Sequence, residues 1–281
     1  CVNVGCVPKK LFYYGAHFSS DFKDAEGYGW RIDRSQFDWP TLRDNKTAEI
    51  TRLNGIYEKL LVDAGVTIID GFARIHSPHE VSVNGELIRA KKILIATGCQ
   101  PYVPEFPGSE HAITSDDMFA LESLPTNALV VGGGYIALEF AGILNGLGVA
   151  TTLSYRGERL LKHFDKDLSQ HILSEIEKHG IEVKMGSQIQ RITRVDDQHL
   201  TVHFVDGSQA NYGLVLYATG RNPATANIGL ENTAVTMRDN GEIIVDEYFQ
   251  TQEPSIFALG DIIGTPALTP VSYTHLTLPT S

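Results

Sequence analysis

An α/β fold built on a parallel sheet is predicted for this chain of 281 residues. Three observations predict it. Apolar strand-like runs alternate with helical spacings along the sequence. A glycine-rich turn, Gly132-Gly133-Gly134-Tyr135-Ile136-Ala137, follows a buried strand and opens a helix. An apolar strand ending in Ala-Thr-Gly occurs twice, at residues 93–98 and 215–220. That repeat implies two similar nucleotide-binding modules, one inserted into the other.

The elements follow in order. Apolar spacing predicts a helix over 11–22, then a turn-rich aromatic stretch to Trp39. A second helix is predicted over 39–64, with an apolar face at Leu42, Ile50, Leu53, Ile56, Tyr57, Leu60 and Leu61. Short strand runs lie at 66–69, 81–83 and 93–96, and Asn84-Gly85 is a hairpin turn signal. Residues 101–125 are Pro-rich and irregular, which suits a crossover between domains. The unbroken apolar run 128–131 predicts a buried strand, followed by a helix at 135–147 and a strand at 151–155. A second set gives a helix at 167–178 and strands at 182–185, 189–195, 200–204 and 214–217. One more short strand is expected at 256–259.

Composition excludes several classes. At 42% hydrophobic residues the chain can bury a core, and it has no apolar run of the roughly 18 residues a membrane helix needs. Its formal charge of −11, from 23 basic and 34 acidic residues, disfavours nucleic acid or an anionic membrane as partner. Three cysteines do not make a secreted disulfide scaffold.

Two of those cysteines open the sequence, in Cys1-Val2-Asn3-Val4-Gly5-Cys6-Val7-Pro8-Lys9-Lys10. A close Cys pair beside a cation can carry two electrons reversibly, because positive charge or a helix N-terminus favours the reactive thiolate. Two other roles compete. A structural staple across so short a loop removes little chain entropy. A zinc site wants about four ligands, and no His or second Cys pair lies close by. No metal is expected.

This decapeptide resembles the redox-active signature of the flavoprotein disulfide reductases, the class I pyridine nucleotide-disulfide oxidoreductases. Its Pro8-Lys9-Lys10 ending is similar to their glutathione reductase branch, and the resemblance covers residues 1–271. It implies two Rossmann-like domains, with the NADP domain inserted into an FAD domain. Residues 1–100 and 222–271 would form the FAD domain, and 101–221 the NADP domain. Residues 272–281 do not continue the expected helix and resemble a cloning or sequencing scar. The family's N-terminal flavin fingerprint and C-terminal dimer domain, with its His–Glu pair, are not in this sequence. His275 lies in the wrong setting to stand in, and little or no turnover is expected of this polypeptide alone.

The resemblance also implies roles. Cys6 would lie next to the flavin, and Cys1 would be the interchange thiol that attacks glutathione disulfide. Lys9 and Glu139 match an ion pair beside flavin N5, although each alone reads as a surface charge. Ala73, Thr97, Gly98, Asp261 and Thr269 match FAD contacts. In the glycine turn, Gly132 permits the bend, Gly134 lets a pyrophosphate approach, and Ala137 lets helix and strand pack closely. Ile136 and Tyr135 complete it; Tyr135 would cover the flavin's nicotinamide side, or simply pack on the sheet.

The next strand ends in Tyr155-Arg156 with no acidic residue, which argues for NADPH over NADH. Arg156 and Lys162 match the two basic positions for the 2′-phosphate. Lys162 departs from the usual Arg and lacks its planar fork. Their other reading is a solvated basic patch. Arg221 matches a further NADP contact or is an ordinary strand cap. Tyr57 matches a glutathione contact or is a helix residue on the core side. Cys99 reads as a small packing residue. The whole protein would be a cytoplasmic homodimer. The alternatives are a reductase of trypanothione or thioredoxin disulfide, and an NADP-binding module without turnover.

Overall fold

The structure is a computed structural model that describes residues 1–32, 36–264 and 268–276. It divides into two compact units, one of Cys1–Tyr57 with Pro101–Gly220, the other of Glu58–Gln100 with Arg221–Ser281. The chain passes from one unit to the other at 57/58, 100/101 and 220/221. Residues 1–57 behave differently from expectation: they pack with 101–220 rather than with 58–100.

In the first unit a five-stranded parallel sheet runs Ile113–Thr114, Leu214–Tyr217, Asn127–Val131, Ala150–Tyr155, Glu182–Met185 across its width. Its central strands are buried on both faces, which is why they read as continuous apolar runs. Ala128, Val130, Leu214 and Leu216 face the helices. Leu129, Val215 and Tyr217 face a second sheet. That sheet is an antiparallel meander of Ile189–Arg194, Leu200–Phe204 and Gln209–Tyr212. The strands at 189–204 thus leave the parallel sheet, a correction to the expected order. The physical reason is reach: parallel neighbours need a crossover of roughly a dozen residues, and these connections are only short turns. The sequence reading also missed the strand Gln209–Tyr212, which the Asp206-Gly207 turn announces, with Gly207 at φ +86°.

The first helix, Cys6–Gly27, starts five residues earlier than expected and lies against Tyr135–Gly146. Phe12 is fully buried, 4.9 Å from the Trp39 ring and 5.9 Å from Phe119, and Phe119 meets Phe140 at 5.6 Å. Trp39 Nε1 donates to the Leu121 carbonyl at 2.8 Å. Lys46 is buried beside them, donates to the Phe119 carbonyl, and has its pKa held down by that burial. These contacts explain why residues 1–57 group with 101–220.

The second helix, Trp39–Asp63, matches its expectation in extent but not in burial. Ile50 is buried, whereas Ile56, Tyr57, Leu60 and Leu61 are exposed. The run 66–69 is also not a strand; Val66, Ile68 and Ile69 are exposed. An apolar run becomes a strand only where a neighbour pairs its backbone, and among the described residues none does.

In the second unit the hairpin signal is realised. Arg74–Ser77, Glu80–Val83 and Glu86–Arg89 form an antiparallel sheet, with Asn84 at φ +52° and Gly85 at φ +86° in the turn. Ile93–Ile95 pairs in parallel with Ile256–Ala258 over a core of Ile75, Ile228, Ile243 and Ile262. A last helix, Thr269–Leu276, runs past Val271, which corrects the expectation that residues 272–276 leave the helix. Pro270 sits in its first turn, where a missing N–H is tolerated, and no Gly or Pro interrupts it before Leu276. Residues 277–281 lie outside the described residues. No helix among the described residues is long and apolar enough to cross a membrane.

Candidate active site

In the first unit the Cys pair sits on a folded-back turn. The Val7 N–H donates to the Cys1 carbonyl at 3.1 Å, and Lys9 N–H to that of Gly5 at 3.1 Å. Gly5 allows this closure, since a Cβ there would lie 2.9 Å from Cys1 Cα. Cys6 is the first helical residue, and both cysteines are exposed free thiols.

Three positions along the same helix, Lys9 meets Glu139 at 2.5 Å, their side chains 20% and 38% exposed. Small residues make that meeting possible. Ala16 packs so close to Gly146 that a Cβ on Gly146 would stand 3.1 Å away. The pair contributes little to folding, because partly exposed ion pairs are worth about 1 kcal/mol or less. Glu139→Gln is therefore expected to shift the urea midpoint only slightly. A large shift would assign the pair a structural role instead.

Glu139 belongs to the helix opened by the glycine turn. Gly132 has φ +145°, and a Cβ there would fall 2.3 Å from the Ala218 carbonyl oxygen. A Cβ on Gly133 would meet the Tyr155 ring at 2.7 Å. Gly134, the helix N-cap, has open space around it, and Ala137 is fully buried. Ile136 is half-buried, while Tyr135 stands 42% exposed at the helix start rather than sunk into the sheet. The loop after Tyr155 folds back: Leu161 N–H donates to the Gly133 carbonyl at 2.7 Å. It carries Arg156 and Lys162, both exposed, and Arg159 donates to the Lys162 carbonyl. Tyr57 is 46% exposed, so it is not a core residue.

The second unit holds the other group. Thr97 and Gly98 follow the strand Ile93–Ile95, and Asp261 follows Ile256–Ala258 in the short turn Gly260–Ile263. The strands are parallel, so these residues share their carboxyl end, where open α/β sheets bind ligands. Ser272 of the last helix lies against Gly260, which brings half-buried Thr269's helix to the same end. Ala73 is exposed immediately before the strand Arg74–Ser77. Arg221 belongs to this unit, and its guanidinium is engaged by Cys99.

The repeated Ala-Thr-Gly has a common mechanical role. Thr97 Oγ1 donates to the Ala224 carbonyl at 2.9 Å, while Ala224 N–H donates to the Gly98 carbonyl at 2.8 Å. Thr219 Oγ1 donates to the Tyr102 carbonyl at 3.0 Å, and Tyr102 N–H to that of Gly220 at 3.0 Å. Each motif thus closes a two-bond clasp on the backbone that follows the other motif. Tyr155 and Cys99 are the residues that sequence reasoning undervalued. The position of Cys99 directly after a clasp was the available signal.

The family model described as pyridine nucleotide-disulphide oxidoreductase matches residues 1–275. The chain belongs to this family. The chain is 42% identical over 272 residues to a glutathione reductase of Burkholderia cepacia, covering 97% of this chain and 60% of that protein. It is also 42% identical to the chloroplastic/mitochondrial glutathione reductase of Pisum sativum, over 97% of this chain and 50% of that one. Among solved structures, the HOCl-induced flavoprotein disulfide reductase RclA from Escherichia coli superposes with a TM-score of 0.86 at 27% identity, covering 98% of this chain and 60% of that one. The chain thus spans half to about three fifths of the length of these relatives. Among the described residues, no cluster of three or more His, Cys, Asp or Glu could hold a metal ion.

Proposed function

We propose that the whole protein carrying this chain is an NADPH-dependent, FAD-containing reductase of glutathione disulfide. The observation that carries this reading is the Lys9–Glu139 pair, which ties the helix of the Cys1–Cys6 dithiol to the helix of the glycine turn. The residues present fit both cofactors. Gly134 leaves room at a helix N-terminus for a pyrophosphate. Arg156 and Lys162 supply cations, with no competing acid at the strand end, for a 2′-phosphate, and Arg221 is read as a further NADP contact. The Asp261 carboxylate would accept from the hydroxyls of a flavin side chain, and Thr97, Gly98, Thr269 and Ala73 would make the further flavin contacts.

When bound, the flavin passes two electrons from NADPH to a disulfide. The chain's own residues do the rest. Lys9, oriented by Glu139, would supply a fixed cation to stabilise the negative charge of a reduced flavin, and Tyr135 would give way to NADPH at the start of the glycine-turn helix. With Cys1 and Cys6 reduced, the Cys1 thiolate attacks glutathione disulfide, forming a mixed disulfide and releasing one glutathione. The Cys6 thiolate then attacks Cys1 sulfur, releases the second glutathione and restores the Cys1–Cys6 disulfide. Two electrons and two protons are consumed per disulfide. Tyr57 contacts the substrate, and the protein works as a cytoplasmic homodimer.

The test supplies the flavin-loaded protein with NADPH and, in turn, glutathione, trypanothione and thioredoxin disulfides. NADPH oxidation at the highest kcat/KM with glutathione disulfide is expected. A preference for another disulfide would keep the dithiol chemistry and reject the substrate. NADPH binding without turnover of any disulfide would leave only a nucleotide-binding module.

A further inference from the structure

Cys99 is the middle member of a polar chain inside the second unit. Its thiol donates to Asp261 Oδ2 at 3.2 Å. Its sulfur accepts from Arg221 Nε at 3.0 Å, and its carbonyl accepts from Arg221 Nη2 at 2.6 Å. A thiol has one proton to give and weak acceptor capacity. The chain therefore has one direction, from guanidinium to sulfur to carboxylate. A thiolate would break it by setting two anions side by side. The surroundings favour the protonated form: burial pushes the Cys99 thiol up, against the opposing pull of Arg221. The backbone holds this arrangement in place. Gly98, at φ +71°, and Thr97 are clasped to Ala224, three residues beyond Arg221.

We propose that Cys99 is a positioning residue: its thiol, steadied by Arg221, fixes Oδ2 of Asp261 so that Oδ1 meets a hydroxyl of the flavin side chain. This rests on the reading of Asp261 as a flavin-binding residue. It also gives Arg221 a task within the flavin half of the molecule. A carboxylate on a free rotor must lose that freedom when it binds a ligand, whereas one already held loses less.

The test is FAD titration of the whole protein carrying this chain after removal of any flavin, read by quenching of flavin fluorescence, with thermal midpoints recorded alongside. Cys99→Ala is expected to weaken FAD binding about tenfold, and Cys99→Ser, which keeps a donor and an acceptor, to restore it to within about threefold. The thermal midpoints of the flavin-free variants should agree with that of the parent. In an Asp261→Ala background, Cys99→Ala should have no further effect, because the two act as one unit. Equal losses in the Ala and Ser variants would assign Cys99 to packing and overturn the proposal. So would additive losses in the double variant. If Asp261→Ala weakens FAD binding while Cys99→Ala does not, the proposal fails and the flavin site stands. If Asp261→Ala binds FAD like the parent, or the parent takes up no FAD, the reading of the site fails and the proposal with it.

Discussion

Replacing Cys6 by Ser is expected to lower glutathione disulfide turnover on the order of 10³-fold or more, and to trap one glutathione per chain as a mixed disulfide. The trap follows from the order of attack. Cys1 can still open the substrate disulfide, but no second thiol remains to release the product from it. Cys1→Ser should lose as much activity and trap nothing, because the interchange thiol itself is gone. Intact-mass measurement after exposure to glutathione disulfide separates the two. An adduct on the Cys1→Ser protein instead would reverse the assigned roles. Undiminished turnover in both variants would remove the pair from the reaction. The folding cost of either change is small, since both residues are exposed and neither belongs to a buried cluster.

Gly132→Val is expected to destabilise the first unit by about 3 kcal/mol or more and to abolish NADPH binding. Two penalties combine at this residue. Its φ of +145° lies where side chains are rarely accommodated, and a Cβ would stand 2.3 Å from the Ala218 carbonyl oxygen. That oxygen belongs to backbone beside the central strand and cannot retreat without disturbing the sheet. Gly134→Ala makes the informative contrast. Gly134 has φ −91°, and a methyl group there would meet nothing within 4 Å, so the fold should tolerate the change. The methyl would instead occupy space proposed for a pyrophosphate. An unchanged denaturation midpoint with NADPH affinity reduced about tenfold or more is expected. A lowered midpoint for Gly134→Ala, or unaltered binding, would mean that this turn does not receive the nucleotide. Denaturant titration and fluorescence titration with NADPH measure the two quantities on the same samples.

The sequence by itself determined the local features. The unbroken run 128–131, the glycine turn and the Asn84-Gly85 hairpin each appear in the structure as expected. Their signals are short-range: steric limits on φ, strand alternation and turn chemistry act between near neighbours, so a few adjacent residues suffice to specify them. The family was also legible, because Cys1 to Lys10 and the glycine turn are contiguous motifs.

Tertiary structure decided what depends on distant partners. Whether Val66 to Ile69 becomes a strand depends on a pairing neighbour, not on the run itself. Whether Ile189 to Phe204 joins the parallel sheet depends on how far its connections reach. Burial of Phe12 and Trp39 against Phe119 and Phe140 draws residues 1–57 to the 101–220 segment, and no local pattern records that choice. Cys99 shows the same limit most sharply. A lone cysteine after Ala-Thr-Gly has no visible partner in sequence. Its role emerges only when Arg221 and Asp261, 122 and 162 residues away, converge on its sulfur.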